Sequence, residues 1–370
     1  MTTRSVIING KYLSSGMTGV HRVATELVNG IDRLMSEAPA SGRPSVRIVA
    51  PGSARSRPDL TTLPVSLEGH LTWQFWEQFE LPLLARDAVL VGLCNLAPLA
   101  HPRAITMIHD AQVFLSPGSY SPAFRHWYQF ALPRIGRRAL RILTVSEYSK
   151  AQLVRFGVAD AERIEVIHNG SDHILRTPAD PDVVTRLGLT PGTFVVALAN
   201  TQAHKNIKIL FEAARRAAMS GIRLVLVGGA TGQDFLDIGA TPPPDTLFAG
   251  KVSDAELRGL LEAAGCLAFP STTEGFGLPP LEAMQLGCPV VVAPEGALPE
   301  ACGDAALYAG AQDPDAWAEA IATIISDGEQ RRTQIAAGHR QAAGFTWDQA
   351  SRKLMDCITM TLQTANETAG

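Results

Sequence analysis

A chain of 370 residues, 46% hydrophobic and 18% charged, is too long for one ordinary core and too apolar to be disordered, so two α/β domains are expected. Its net charge of −4 is uneven: residues 1–175 carry 18 Lys and Arg against 14 Asp and Glu, the remainder 14 against 22. No uncharged apolar run reaches the length of a membrane span, Val6–Ile8 reads as a first strand and not as a signal core, and five scattered cysteines without a C-x-x-C pair point to reduced thiols in the cytosol.

In chain order, Ser5–Asn9 is a short β run, Lys11–Gly19 a loop holding Gly16 and Gly19, and a helical pattern starts near Val20 and runs through Val23, Leu27 and Ile31. That is the opening of a doubly wound unit, with ligands expected at the carboxyl end of the strand. Arg22, in the first helical turn, reads equally as a phosphate or acceptor contact and as a surface arginine. Residues 37–62 are rich in Ser, Pro, Arg and Gly around a strand at Val46–Ala50. Trp73–Leu84 is helical and aromatic, Ala88–Gly92 a strand, and Ile105–Ile108 a strand ending in His109-Asp110, where catalytic groups tend to sit. The segment Phe124–Leu140 mixes aromatics with four arginines, a pattern shared by membrane-seated helices and by ordinary half-buried ones. Leu143–Ser146 is a strand, Glu147–Phe156 a helix, and Ile164–Ile167 a strand ending in His168-Asn169-Gly170. The Pro- and Asp-rich stretch from Leu175 to Asp182 reads as a linker.

The pattern then restarts. Phe194–Ala199 is a strand, Asn200–Asn206 a polar loop with Lys205, Ile207–Ala218 a helix, Leu224–Val227 a strand, Thr246–Ala249 a short strand and Asp254–Ala264 a helix capped by Ser253. Cys266–Phe269 is a buried strand. After it come Glu274, Gly275-Phe276-Gly277, Leu278, Pro279-Pro280 and Glu282 at the head of a helix that Gly287 stops; Pro289–Val292 is the next strand. Helices follow at Ala316–Ser326 and from Gln349 onward. A glycine loop feeding a helix N-terminus is a ready anion site. Two carboxylates beside it suit the paired hydroxyls of a polyol, so the stretch fits a ligand with phosphate and sugar parts. Lys205 is the evident cation for that phosphate. The strings Asp180-Pro181-Asp182 and Asp313-Pro314-Asp315 read as turns and caps, so no metal site is implied.

The E-x7-E spacing of Glu274 and Glu282 around Gly-Phe-Gly-Leu-Pro resembles glycosyltransferase family 4. The likeness continues through Thr18-Gly19-Val20-x-Arg22, His109-Asp110, Val145-Ser146-x-x-Ser149, Asn169-Gly170-x-Asp172, Lys205-Asn206 and Gly250-Lys251-Val252. It implies an α/β protein with two doubly wound Rossmann-like domains facing a cleft (GT-B): an acceptor-side domain at 1–175, a nucleotide-sugar domain at 176–345, and a helix at 346–370 crossing back. It implies a retaining, metal-independent hexosyltransferase. Glu274 would hold the moving sugar, Glu282 the ribose diol, and Lys205 the diphosphate. The backbone of Gly275, Phe276, Gly277 and Leu278 would touch sugar and phosphates, and that near Val252 the base. Gly19 would approach the phosphate and His109 the donor sugar. Many relatives carry an arginine before Lys205; this chain has none there, leaving His204 or Arg22 as the second cation. The donor leans to GDP-mannose, with UDP- or dTDP-linked glucose, N-acetylglucosamine or rhamnose as alternatives. The nucleotide-sugar is a substrate and no cofactor is expected. The acceptor would be a saccharide or a polyprenyl-diphosphate-linked one. Localisation would be cytoplasmic, with peripheral membrane contact through the N-terminal domain and no nucleic acid bound. A nucleotide-sugar epimerase or a non-catalytic scaffold are the rivals; a Rossmann oxidoreductase lacks its G-x-G-x-x-G here.

Overall fold

The computed structural model describes residues 5–39 and 44–367, so residues 40–43 of the loop-rich stretch and the last three of the C-terminal segment lie outside it. The chain forms two compact units. Unit 1 comprises the chain up to Phe114, Tyr120–Gly170 and the chain from Trp347 on; unit 2 comprises Ser171–Thr346 together with the short segment Leu115–Ser119.

Unit 1 is built on seven parallel strands: β1 (Ser5–Asn9), β2 (Ser45–Pro51), β3 (Val65–Glu68), β4 (Val89–Gly92), β5 (Ala104–Met107), β6 (Arg141–Thr144) and β7 (Ile164–Val166). Their order across the sheet is β3-β2-β1-β4-β5-β6-β7. Central strands such as β4 are buried at every residue, which is why they read as continuous apolar runs and not as alternating ones. The helix expected near Val20 spans Gly19–Glu37, and its buried stripe (Val23, Leu27, Ile31) is the one the 3.6-residue period marks. The helix Trp347–Glu367 packs on it at close range. A Cβ on Gly30 would overlap the Ser351 side chain, so only glycine admits this approach, and Arg33 meets Asp348 at 2.7 Å beside it.

Unit 2 repeats the plan with six parallel strands: β8 (Phe194–Leu198), β9 (Arg223–Val227), β10 (Leu247–Gly250), β11 (Cys266–Phe269), β12 (Val290–Val292) and β13 (Leu307–Tyr308), ordered β10-β9-β8-β11-β12-β13. Its core joins Trp317, Phe211 and Phe235, each almost fully buried. Phe211 and Phe235 meet edge to face at 5.1 Å, a geometry worth about 1 kcal/mol beyond area burial. Ser253 caps Asp254–Ala263 through a reciprocal box with Glu256. The stretch read as a linker is held to unit 2: Asp172–Arg176 is a 3-10 turn, Asp182–Arg186 is helical, and Asp180 N–H donates to Ala255 O at 2.9 Å. Its polar composition serves turns, not slack.

Candidate active site

In both sheets the strand order reverses once, between β1 and β4 and between β8 and β11. Open parallel sheets bind ligands at that reversal, outside the carboxyl ends of the strands. In unit 2 the loops at this point are those leaving β8 and β11, and they carry Lys205 and Glu274.

The first loop tightens into the 3-10 turn Ala203–Lys205. Asn206 then takes a left-handed backbone (φ 53°), turning the chain into the helix Ile207–Ala213, and its side chain donates to Ala311 O at 2.8 Å. The second loop is tied to the first by Thr272 N–H donating to His204 O at 2.8 Å. Across this junction Lys205 Nζ lies 2.6 Å from Glu274 Oε1, with side-chain exposures of 21% and 14%. The ammonium also sits 5.7 Å from the centroid of Phe269, the last residue of β11. Two loops 69 positions apart thus place a cation and a carboxylate in contact.

Gly277 caps the helix Leu278–Gln285 at φ 114°, and a Cβ there would press on Leu298 Cδ2 at 2.9 Å. Pro279 and Pro280 remove two N–H groups from the first turn. That leaves fewer donors at this helix end, and a smaller anion cradle, than a generic helix start offers. The Phe276 side chain is buried against Phe345, with ring centroids 5.6 Å apart. Glu282, one turn into the helix, pairs with His173 Nε2 at 2.9 Å, side-chain exposures being 12% and 5%. Val252, half-buried, follows β10 just ahead of the Asp254–Ala263 helix.

His204, one of the two candidates for the second cation, is held neutral by its surroundings. It is buried, its Nδ1 lies 2.9 Å from Ser119 Oγ, and burial, reinforced by Lys205, lowers its pKa against the opposing pull of Glu274. The imidazole is neutral at ordinary pH.

In unit 1, Thr18 caps the Gly19–Glu37 helix, Arg22 sits in its first turn, and a Cβ on Gly19 would meet open space. His109 follows β5. Its backbone N–H donates to Asn95 Oδ1 at 2.8 Å and its carbonyl accepts from Ser149 Oγ at 3.0 Å. Burial pushes its pKa down to about 4, so the ring is neutral, and its Nε2–H faces Leu93 O at 2.8 Å. With that nitrogen committed, Nδ1 is left as an acceptor only.

Sequence reasoning named the candidate ligand-facing residues but not their supports, such as Ser119, Asn95 and His173, whose tie to Glu282 spans 109 positions and leaves no local signal.

Two family models match the chain: "Glycosyltransferase Family 4" over residues 18–174 and "Glycosyl transferases group 1" over residues 188–341. The O-antigen chain mannosyltransferase B of Escherichia coli is 33% identical over 289 residues, 75% of this chain and 74% of that one. A D-inositol 3-phosphate glycosyltransferase of Mycolicibacterium gilvum is 30% identical over 265 residues, 66% of this chain and 58% of that one. Among solved structures, Anabaena HepE in complex with UDP and glucose matches with a TM-score of 0.72 at 18% identity, covering 96% of this chain and 99% of that one.

Proposed function

We propose, from the premise that this chain belongs to the family 4 glycosyltransferases, that it moves a hexose from a nucleoside diphosphate to a saccharide or polyprenyl-diphosphate-linked hydroxyl in polysaccharide synthesis. The observation that carries this reading is the Lys205–Glu274 contact at the strand reversal. A ligand that satisfies both groups must carry an anion and hydroxyls a few ångströms apart, and the glycosyl phosphate of a sugar nucleotide does.

Lys205 and the N–H groups at Gly277 and Leu278 meet the diphosphate as negative charge develops on it, and preorganised donors of this kind supply much of an enzyme's rate. Glu274 accepts from hydroxyls of the moving sugar, Glu282 from the ribose diol. His109, neutral, accepts from a donor hydroxyl through Nδ1. Gly19, with no side chain, lets the phosphate approach, and Arg22 takes the place of the second cation. The departing phosphate oxygen takes the acceptor proton, so transfer retains configuration without a dedicated base. The Asp-Pro-Asp strings are used up locally: Asp313 accepts from Ala316 N–H and Asp180 from Asp182 N–H, both at 3.0 Å. Lys205 answers the diphosphate in this reading. GDP-mannose is the favoured donor, its mannose supported by the E. coli mannosyltransferase.

Peripheral contact with the cytoplasmic face of a membrane is supported by a surface the sequence did not single out. Trp73, Phe75, Phe79 and Leu83 are 70, 67, 63 and 72% exposed along one stretch of unit 1. The opposite side of that stretch, Trp76 and Leu81, is fully buried against Ile7, Val49 and Leu90. Trp73 is held in the left-handed backbone region, φ 54°, a conformation that costs a bulky residue on the order of 1–3 kcal/mol. Gln78 Nε2 donates to Ala97 O and Arg138 donates to Leu99 O, so this stretch and the arginine-bearing helix Pro122–Arg138 meet the same loop. An exposed apolar row on a unit that also carries an arginine-rich helix suits an anionic bilayer.

A thermal-shift screen of GDP, GDP-mannose, UDP and UDP-glucose tests the function. At 100 times Kd a ligand adds about 2.7 kcal/mol, a rise of roughly 5–10 °C for a unit of this size. GDP and GDP-mannose are expected to give it; a shift with UDP alone moves the donor to the alternative class, and no shift with any sugar nucleotide overturns the reading.

A further inference from the structure

The Glu282 carboxylate is held from behind. His173 Nε2 lies 2.9 Å from Oε1, with the imidazole 5% exposed and the carboxylate side chain 12%. No other hydrogen bond to this carboxylate occurs among the described residues, so Oε2 is open. The terminal torsion of a glutamate is broad and otherwise poorly fixed. One anchored oxygen sets the plane of the group and leaves the other pointing in a single direction.

The histidine itself is clamped. It sits on the 3-10 turn Asp172–Arg176, and the residue before that turn, Ser171, is fully buried. Gln285 Nε2 donates to Ser171 Oγ at 3.1 Å and to Ala342 O at 3.1 Å, while Ser171 N–H donates to Phe345 O at 3.0 Å. Glu282 and Gln285 are three residues apart and share a helix face. The turn therefore grips the same face of the Leu278–Gln285 helix twice, once through Ser171 and once through His173. Phe345 continues the chain of contacts to Phe276 in the glycine loop.

We propose that His173 is a positioning residue for ribose recognition: by holding Oε1 of Glu282 it presents Oε2, preorganised, to the ribose hydroxyls of the donor. This rests on the reading of Glu282 as the ribose ligand. Preorganisation strengthens binding by removing the ordering cost from the binding step. Its signature is selectivity for ribose over deoxyribose, because a site built to meet a hydroxyl is penalised when that hydroxyl is missing.

The test is calorimetric titration with GDP, 2′-deoxy-GDP, UDP and 2′-deoxy-UDP, using the wild-type chain, His173→Gln, His173→Asn and Glu282→Gln. Glutamine returns a donor close to the Nε2 position, whereas asparagine withdraws it. Thermal melts of each variant check the fold. The wild type is expected to prefer the ribonucleotide by about tenfold or more, the worth of one charge-assisted hydrogen bond. His173→Asn is expected to lose most of that preference while its affinity for the deoxynucleotide changes less than about threefold. His173→Gln is expected to keep it. A residue that only supported the fold would weaken both nucleotides together. An unchanged ribose preference in His173→Asn, with Glu282→Gln losing it, overturns the role of His173 alone. Absence of any ribose preference in the wild type and in Glu282→Gln overturns the reading of Glu282 as well.

Discussion

Replacing Lys205 with methionine keeps an unbranched side chain one atom shorter and removes its charge, leaving a Glu274 carboxylate that is 14% exposed without its 2.6 Å partner. A hydrogen bond to a charged group contributes about 1.5–3 kcal/mol, and an unpaired acceptor in a half-dry site forfeits it. Unit 2 holds roughly 180 residues, for which each kcal/mol moves the melting point by about 2–4 °C, so its transition should fall by roughly 4–10 °C. Glu274→Gln should cost a comparable amount by stranding the ammonium. The double variant has no stranded charge and should melt above the sum of the two, with a coupling of about 1–2 kcal/mol. Calorimetry of the four chains, repeated at high salt, measures this; being largely buried, the coupling should persist there. In transfer assays each single variant should lose at least about a hundredfold, and the double little more, because both groups act on one ligand. Additive melting effects, within about 0.5 kcal/mol, would refute the pair as a working unit.

Gly30→Ala should destabilise unit 1 by about 1–3 kcal/mol through the overlap with Ser351, and adding Ser351→Gly should restore part of the loss, read by circular dichroism melts. Gly19→Ala, whose Cβ meets open space, should leave the melt within about 0.5 kcal/mol of wild type yet weaken nucleotide-sugar binding in titration. His109 has a folded pKa of about 4 against an ordinary 6.5; protons therefore bind preferentially to the unfolded chain as pH falls through that window. Its stabilisation is complete above pH 6.5, and about 3 kcal/mol is lost by pH 4, so His109→Gln should flatten the acid limb of unit 1's melting curve. In vesicle sedimentation, Trp73→Ser/Phe79→Ser should reduce binding to anionic liposomes severalfold while neutral liposomes bind little in either case. Equal binding of wild type and variant would remove that face from the membrane.

The two parallel sheets were legible because their strands are buried apolar runs separated by helical periodicity, and the loops at Lys205 and Gly277 because glycine, proline and charge mark them locally. The short β3 carries no such run; every residue of Val65–Glu68 is only half-buried. β13 has two residues, and the helix Gly328–Ala342 is largely polar, burying little besides Gly338 and Ala342, so none of these stood out. Charge states were the least readable. His109 and His204 look in the sequence like titratable site groups, and only the surrounding sheet and loops make them neutral. The His173–Glu282 tie was hidden for a related reason, being a contact between a turn at the start of unit 2 and a helix more than a hundred residues later. The exposed row from Trp73 to Leu83 reads in the sequence as an aromatic helix; which of its faces meets solvent is decided by the sheet beneath.

The helix Trp347–Glu367 has a consequence for the order in which the molecule can be made. It packs on Gly19–Glu37 yet leaves the ribosome after every residue of unit 2. Unit 1, begun first, must therefore wait with the Gly30 flank of its opening helix uncovered while the other unit is synthesised and folds. Closing it brings together residues some 300 positions apart, the kind of long-range contact that slows folding. The earliest part of this chain is the last to be finished.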